Sequence, residues 1–390
     1  MIGSGSLLYI AVSFLVSFAT AWWIFKYVLR IAVDKNIVDN PNARKLQKEP
    51  VPVLGGVAVA FGIIAATVVG GMFCEVSQVY PLICIMMIML YVGVMDDILG
   101  LSPRLRFVIE ILVVLALIYT TGFAIDDFHG LWGIGRLPKW LAVCLTVFAG
   151  VGIINAINMV DGVNGLCSGY CIMVCAVFGV FFASFEGMAG AFFAAACIGA
   201  LIPFLCHNIF GAKSKMFIGD GGTLLMGTVM TYFVIDCLHG GSPAETARNE
   251  NFGLVPFALS VLAVPVFDTV RVMTVRMLHG RSPFAPDKSH LHHLLFAFHF
   301  SHIGTTCTEI LLNMLVVGVW RTAYALGASI DVQFYAVLLT GFGVTFGLYG
   351  LLTRIRKRDT RFYHALLRFG DRTHVGHSKW FLKCRDLLDR

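Results

Sequence analysis

The chain has 390 residues and a formal net charge of +6; 58% of its residues are hydrophobic, only 13% are charged, and the mean hydropathy is +0.81. Soluble domains carry about 25% charged residues, so this composition excludes an ordinary water-soluble globule and predicts an all-α polytopic membrane protein. At about 20 residues per span little chain is left for a separate soluble domain, and any chemistry must use loops and helix ends.

In chain order, apolar windows predict about eleven transmembrane helices, near 7–28, 54–73, 79–95, 105–121, 139–154, 168–185, 188–206, 217–238, 253–274, 307–328 and 332–353. The first lacks a charged leader and a small-residue cleavage site, so it reads as a retained helix and not a signal peptide. Most of the eleven cysteines lie inside apolar runs and none forms a CxxC pair. They read as small buried hydrophobes, not as disulfides or metal ligands. Orientation follows from the basic residues, because cytoplasmic loops are enriched in Lys and Arg. Of the 29, 24 fall on one face and four on the other, Lys26 closing the first span. The N-terminus is therefore expected outside and the C-terminus in the cytoplasm, and the positive charge is a topology signal with no nucleic-acid partner implied.

Five polar clusters interrupt the apolar pattern, at 42–56 (NARKLQKEPVPVLGG), 96–106 (DDILGLSPRLR), 155–165 (NAINMVDGVNG), 217–222 (FIGDGG) and 281–293 (RSPFAPDKSHLHH). All fall on the face that the basic residues place in the cytoplasm, although carboxylates and imidazoles did not enter that count. One cytoplasmic active site is the expectation. Adjacent Asp96 and Asp97 repel each other, a cost usually justified by a divalent cation or a proton to be accepted; as turn acids they would need no such role. Arg104 and Arg106 could clamp a phosphate beside them, or simply anchor a span. Asn155, Asn158, Asp161 and Asn164 recur every three residues, which keeps their polar heads on one face. Their oxygens are hard ligands suited to magnesium. Asp220 stands in a glycine-rich turn that opens a helix and can offer backbone donors to a phosphate, a weak signal by itself. His290, His292 and His293, near Arg281 and Lys288, fit anion binding better than zinc, since no Cys or Glu stands at ligand spacing.

Together, Asp96-Asp97, Asn155 to Leu166 (NAINMVDGVNGL), Gly219 to Gly222 and His290 to His293 (HLHH) resemble the polyprenyl-phosphate N-acetylhexosamine-1-phosphate transferases, in order and spacing, over roughly residues 35–300. The HLHH segment looks more like the WecA-type branch than the related MraY-type branch. Gln47 and Val53 stand where the family usually has His and Arg, and Asn164 replaces a common second Asp. The resemblance implies transfer of a sugar 1-phosphate from a UDP-N-acetylhexosamine to a polyprenyl phosphate, with release of UMP, at the bacterial cytoplasmic membrane. By that similarity Asp220, helped by Asn158, would hold Mg2+ (Mn2+ as substitute), and Asp161 would support the metal or the diphosphate. Asp96 or Asp97 would deprotonate the lipid phosphate or attack as a nucleophile. Arg106 would bind the lipid phosphate, and Asn164 the nucleotide base. Asn155, Lys45, Arg281, His290, His292 and His293 complete the expected substrate-binding set.

These readings give a transmembrane transferase domain over 1–353 and a basic cytoplasmic tail over 354–390, which is either an interfacial helix on the inner leaflet or a mobile positive-inside segment. A homodimer is allowed for. A MraY-type transferase and an ion-coupled transporter are the competing readings; the second is disfavoured because the acids cluster at helix ends and no internal repeat relates the halves.

Overall fold

The computed structural model describes residues 4–40, 49–72, 79–185, 187–283, 289–358 and 360–389. It is almost entirely helical. In chain order the helices are α1 (Ser4–Asp34), α2 (Gly55–Gly70), α3 (Tyr80–Leu99), α4 (Pro103–Thr121), α5 (Lys139–Met159), α6 (Leu166–Ser184), α7 (Met188–Phe210), α8 (Gly219–Leu238), α9 (Ser242–Asn249), α10 (Leu254–Val261), α11 (Ala263–Leu278), α12 (Leu291–Ala297), α13 (His302–Ala325), α14 (Ile330–Phe342), α15 (Leu348–Arg358), α16 (Arg361–Arg372) and α17 (Lys379–Leu388). A π-helical segment, Gly343–Gly347, joins α14 to α15, so one apolar helix runs over Ile330–Arg358.

Ten of the eleven apolar windows coincide with one continuous helix each, and the window 253–274 falls on two. Among the described residues eight of these are long and apolar enough to cross a membrane, and a ninth span results if α10 and α11 count as one. The 16 residues of α2 are fewer than a straight crossing usually needs, and α4 carries Arg104, Arg106 and Glu110. The sequence suggests one straight helix over 253–274, but α10 and α11 are bent by 74°. Pro265, in the first turn of α11, has no N–H to continue the ladder. The freed backbone groups find side-chain partners: Asn313 Nδ2 donates to the carbonyls of Ser260 (3.3 Å) and Val261 (2.9 Å), its Oδ1 accepts the Val264 N–H (2.9 Å), and the Tyr170 hydroxyl donates to the Val261 carbonyl (2.8 Å). Such substitution is what lets a helix break inside an apolar environment.

Helix α8 is the axis of the bundle. All its residues except Asp220 and Asp236 are buried, and α2, α3 and α5 pack around it. The approach at its N-terminal end is backbone to backbone. A Cβ added at Gly93 of α3 would lie 2.4 Å from the Asp220 carbonyl, and one at Gly56 of α2 would lie 2.4 Å from Gly222. Between apolar helices in lipid there is little hydrophobic driving force, so close packing of small residues does the holding. It also fixes where Asp97, at the end of α3, meets the first turn of α8. A two-stranded ribbon, β1 (Val38–Asp39) and β2 (Val51–Pro52), lies against the same end through the Phe217 N–H, which donates to the Pro52 carbonyl (2.8 Å). The opposite end of α8 carries a separate polar group, in which His129 Nε2 meets the Leu238 carbonyl (3.1 Å) and the Gly240 N–H donates to Asp126 (3.1 Å).

Gly93→Ala should therefore cost stability and activity, by about 1–3 kcal/mol if the neighbours shift, whereas Gly318→Ala, with open space at its Cβ, should be nearly neutral. Thermal denaturation of the two purified variants checks this. Equal melting temperatures would contradict the backbone contact.

Candidate functional site

The N-terminal end of α8 opens into a cavity of about 370 Å³, lined by Asp39, Asp97, Asp161, Asn164, Lys215, Asp220, His293 and His302, with Val53, Asn208, Phe217 and the glycine turns completing the walls. The lining comes from all the polar clusters anticipated for one face, so their convergence on a single site holds. Four aspartates face the space, and Lys215 is the only Lys or Arg among the described lining residues.

Gly219 has φ +72°, a left-handed conformation that glycine adopts without strain, and it turns the chain into α8. The Asp97 carboxylate then accepts the backbone N–H groups of Asp220 (3.1 Å) and Gly221 (3.3 Å), satisfying donors that a helix start leaves free. Asp220 is oriented in turn: Asn158 Nδ2 donates to its Oδ1 (2.7 Å) and to Thr223 Oγ1 (2.7 Å). The 162–165 turn is pinned by Asn208, whose Oδ1 accepts the Gly165 N–H (2.6 Å) and whose Nδ2 donates to the Met216 carbonyl (2.8 Å). Asp161 projects from that turn and is exposed to the cavity. Desolvation first, then the charges of Asp220, Asp97 and Asp39, push its carboxyl up to about 8. Water reaching this exposed group screens part of the desolvation, so the facing carboxylates are the part of the shift that a cation would relieve.

Asp96 does not join its neighbour at the cavity. Its Oδ1 accepts the Leu101 N–H (2.7 Å) and its Oδ2 pairs with Arg106 (3.2 Å). Arg106 also approaches Glu110 (3.5 Å), and Glu110 is hydrogen-bonded to Asn155. This chain of charges lies beside the cavity and not in its lining. Glu110, fully buried, escaped the sequence reading; its only signal was an acid in the middle of an apolar window.

The three histidines divide the same way. His290 Nδ1 meets Asp268 (2.8 Å), which also binds Arg271 (2.7 Å) and the Leu291 N–H (3.3 Å). Arg271 in turn lies 3.7 Å from the Tyr349 ring centre. His292 stacks parallel on His290, their ring centres 5.5 Å apart, and abuts Gly162. Burial, reinforced by the two neighbouring imidazoles, holds it well below the usual histidine range, so it is neutral. Only His293 lines the cavity. Arg281 is exposed and outside the lining, and Lys45 lies outside the described residues. Sequence reasoning also passed over Asp39, Lys215, Asn208, Asp268 and His302, none of which belongs to one of the five clusters.

Residues 79–238 match the model of glycosyl transferase family 4. A probable undecaprenyl-phosphate N-acetylglucosaminyl 1-phosphate transferase of Bacillus subtilis is 28% identical over 362 residues, covering 92% of this chain and 97% of the relative. The undecaprenyl-phosphate alpha-N-acetylglucosaminyl 1-phosphate transferases of Salmonella typhi (28% over 367 residues; 92% and 95%) and Escherichia coli K12 (29% over 284 residues; 70% and 73%) are similar to it as well. Over residues 79–238 the chain is similar to glycosyl transferase family 4. Within the family match lie Asp97, Asp161, Asn164, Lys215 and Asp220, while Asp39, His293 and His302 reach the same cavity from outside it.

As donors for a cation, the cavity offers carboxylate oxygens, which suit a hard divalent ion. Among the described residues no three Asp, Glu, His or Cys side chains form a closed metal cage. An open site, in which one or two carboxylates bind alongside waters and substrate phosphates, is how magnesium is usually held, so the residues fit that ion. Because Asp161 is raised to about 8, a bound cation should displace its proton at neutral pH. Magnesium affinity should rise with pH through about 8 and then level off, with up to about one proton released near pH 7. Calorimetry in buffers of different ionisation enthalpy measures this. Proton-independent binding would remove Asp161 from the cation's surroundings.

Proposed function

We propose that the chain transfers N-acetylglucosamine 1-phosphate from UDP-GlcNAc to undecaprenyl phosphate, releasing UMP, as the initiating step of cell-envelope polysaccharide synthesis. The observation that carries this reading is the cavity at the start of α8: four carboxylates and one lysine, drawn largely from the family-matched segment, in a chain whose relatives are named for that transfer. In this reading the helices cross the bacterial cytoplasmic membrane eleven times with the N-terminus outside, and the cavity faces the cytoplasm. The 24-to-4 partition of Lys and Arg supports that orientation.

The chemistry joins two anionic phosphates. An oxygen of the lipid phosphate attacks the sugar-bearing phosphorus of the UDP-sugar, the bond from that phosphorus to the bridging oxygen breaks, and UMP leaves with the electron pair. Asp220 and Asp161 would hold a magnesium ion, for which manganese can substitute, and Asn158 positions Asp220 through its Nδ2–H. When bound, the ion neutralises and aligns the diphosphate. Lys215 and His293, which line the cavity, meet the phosphates. Asp97 takes the proton of the acceptor phosphate, and Asp96 positions Arg106, which grips that phosphate from beside the cavity. Asn164 belongs to the nucleotide side.

Purified protein given radiolabelled UDP-GlcNAc and undecaprenyl phosphate should form a magnesium-dependent lipid-linked product with stoichiometric UMP. Asp220→Asn should lower turnover more than about a hundredfold, and Asn158→Leu by about ten to a hundredfold, the range for losing a group that orients a ligand. No product with any UDP-sugar, or near-normal turnover by Asp220→Asn, would overturn the reading.

A further inference from the structure

The basic C-terminal segment has no part in the chemistry above, yet it is bonded to two walls of the cavity. Its polar end contacts are specific. At the end of α16, Thr373 Oγ1 accepts the Ser301 N–H (2.8 Å) and the Thr373 carbonyl accepts the Ser301 hydroxyl (2.7 Å), while a Cβ on Gly304 would lie 2.5 Å from the Thr373 side chain. The next residue after Ser301 is His302, which lines the cavity and whose Nδ1 accepts the Asn164 N–H (3.2 Å). Beyond α17, the Asp389 carboxylate gathers the N–H of Ala212 (3.1 Å), the N–H of Ser214 (2.9 Å) and the Ser214 hydroxyl (2.7 Å). Trp380 and Phe381 pack against Phe210, with ring centres 5.3 and 5.1 Å apart. The loop so held ends in Lys215 and Phe217, both of which line the cavity, with the Lys215 ammonium 5.7 Å from the Phe217 ring centre.

Between the two anchors lies a second space of about 260 Å³, walled by His374, His377 and Phe381 on the tail side, which shares Asn164 and His302 with the first cavity. Part of the tail's apolar surface is docked on protein: Tyr363, Leu366 and Leu367 pack with Leu294, Leu295, Phe298 and Phe300 just beyond the HLHH segment. None of the tail contacts described here reaches Asp96, Arg106 or Glu110.

We infer that residues 373–389 form a strap that sets the distance between the Lys215 and His302 walls, with Asp389 and Thr373 as positioning residues for the nucleotide-sugar donor. This rests on the function proposed above and deepens it. A carboxylate that collects three donors from one loop fixes that loop's shape, and a cation on the loop is then presented at a fixed place to a diphosphate. Loss of the strap should loosen donor binding and leave the acceptor side, built on Arg106, unchanged.

The test uses the full chain with UDP-GlcNAc and undecaprenyl phosphate. Asp389→Ala should raise the apparent KM for UDP-GlcNAc about fivefold to tenfold, leave kcat and the lipid KM within about twofold, and be largely rescued in Asp389→Glu. Ser214→Ala, which removes one donor from the other side, should shift the same KM in the same direction, and it serves if Asp389→Ala fails to fold. A fall in kcat with both KM values unchanged, a shift confined to the lipid, or no shift in either variant would overturn the strap. Calorimetric titration with UMP separates the two layers. Weakened UMP binding by the variants of an otherwise inactive enzyme would sink the reaction and keep the strap, and unchanged UMP binding by variants of an active enzyme would sink the strap alone.

Discussion

Four carboxylates share one cavity at the end of a buried helix, and like charges so close repel unless something positive stands between them. The rest of the architecture is arranged around that repulsion. Asp97 accepts the first N–H groups of α8 and Asp220 is turned by Asn158, while desolvation first, and then the charges of Asp220, Asp97 and Asp39, push Asp161 up to about 8. What remains uncompensated is the part a divalent cation and its phosphates would satisfy. A site with all its charges paired internally would be more stable and would have no such use.

Holding such a group together falls to features remote from any chemistry. Gly56 and Gly93 let α2 and α3 touch the first turn of α8 at backbone distance, and Asn313 with Tyr170 supports the break that lets α11 carry Asp268 toward His290. Asp268, Arg271 and the Ser289 carbonyl then fix the histidine segment so that one imidazole of three reaches the cavity. A layered arrangement of this kind explains why adjacent residues diverge in role. Asp96 and Asp97 differ because one faces Arg106 and the other faces α8. His292 is buried against Gly162, whereas His293 lines the cavity.

Much of this was legible in the sequence, since helix period, basic-residue bias and the glycine-flanked acids are local patterns. The convergence of the clusters, the placement of Asp161, Asn164 and Asp220 at the cavity, and the similarity to glycosyl transferase family 4 followed from them. What did not follow was tertiary. Lys215, Asp39 and His302 lie outside the five polar clusters and acquire meaning only when β1, the α7–α8 loop and α13 meet. Glu110 and Asp268 sit in apolar windows, and their partners Arg106 and His290 are recognisable only when the helices are placed. Likewise the ninth window read as one straight span because its hydropathy is continuous across a break that Pro265 causes. The contact of Tyr363, Leu366 and Leu367 with the Leu294 to Phe300 surface was also not legible, because those tail residues carry no mark of the surface they cover.

In the proposed reaction a divalent cation held chiefly at Asp220 would complete the carboxylate cavity. Manganese is the direct probe: crystals grown with Mn2+ and UDP should give an anomalous peak within coordination distance of an Asp220 carboxylate oxygen, with the diphosphate on its far side and the peak absent in Asp220→Asn. A peak elsewhere in the protein, or an unchanged peak in the variant, would contradict the account.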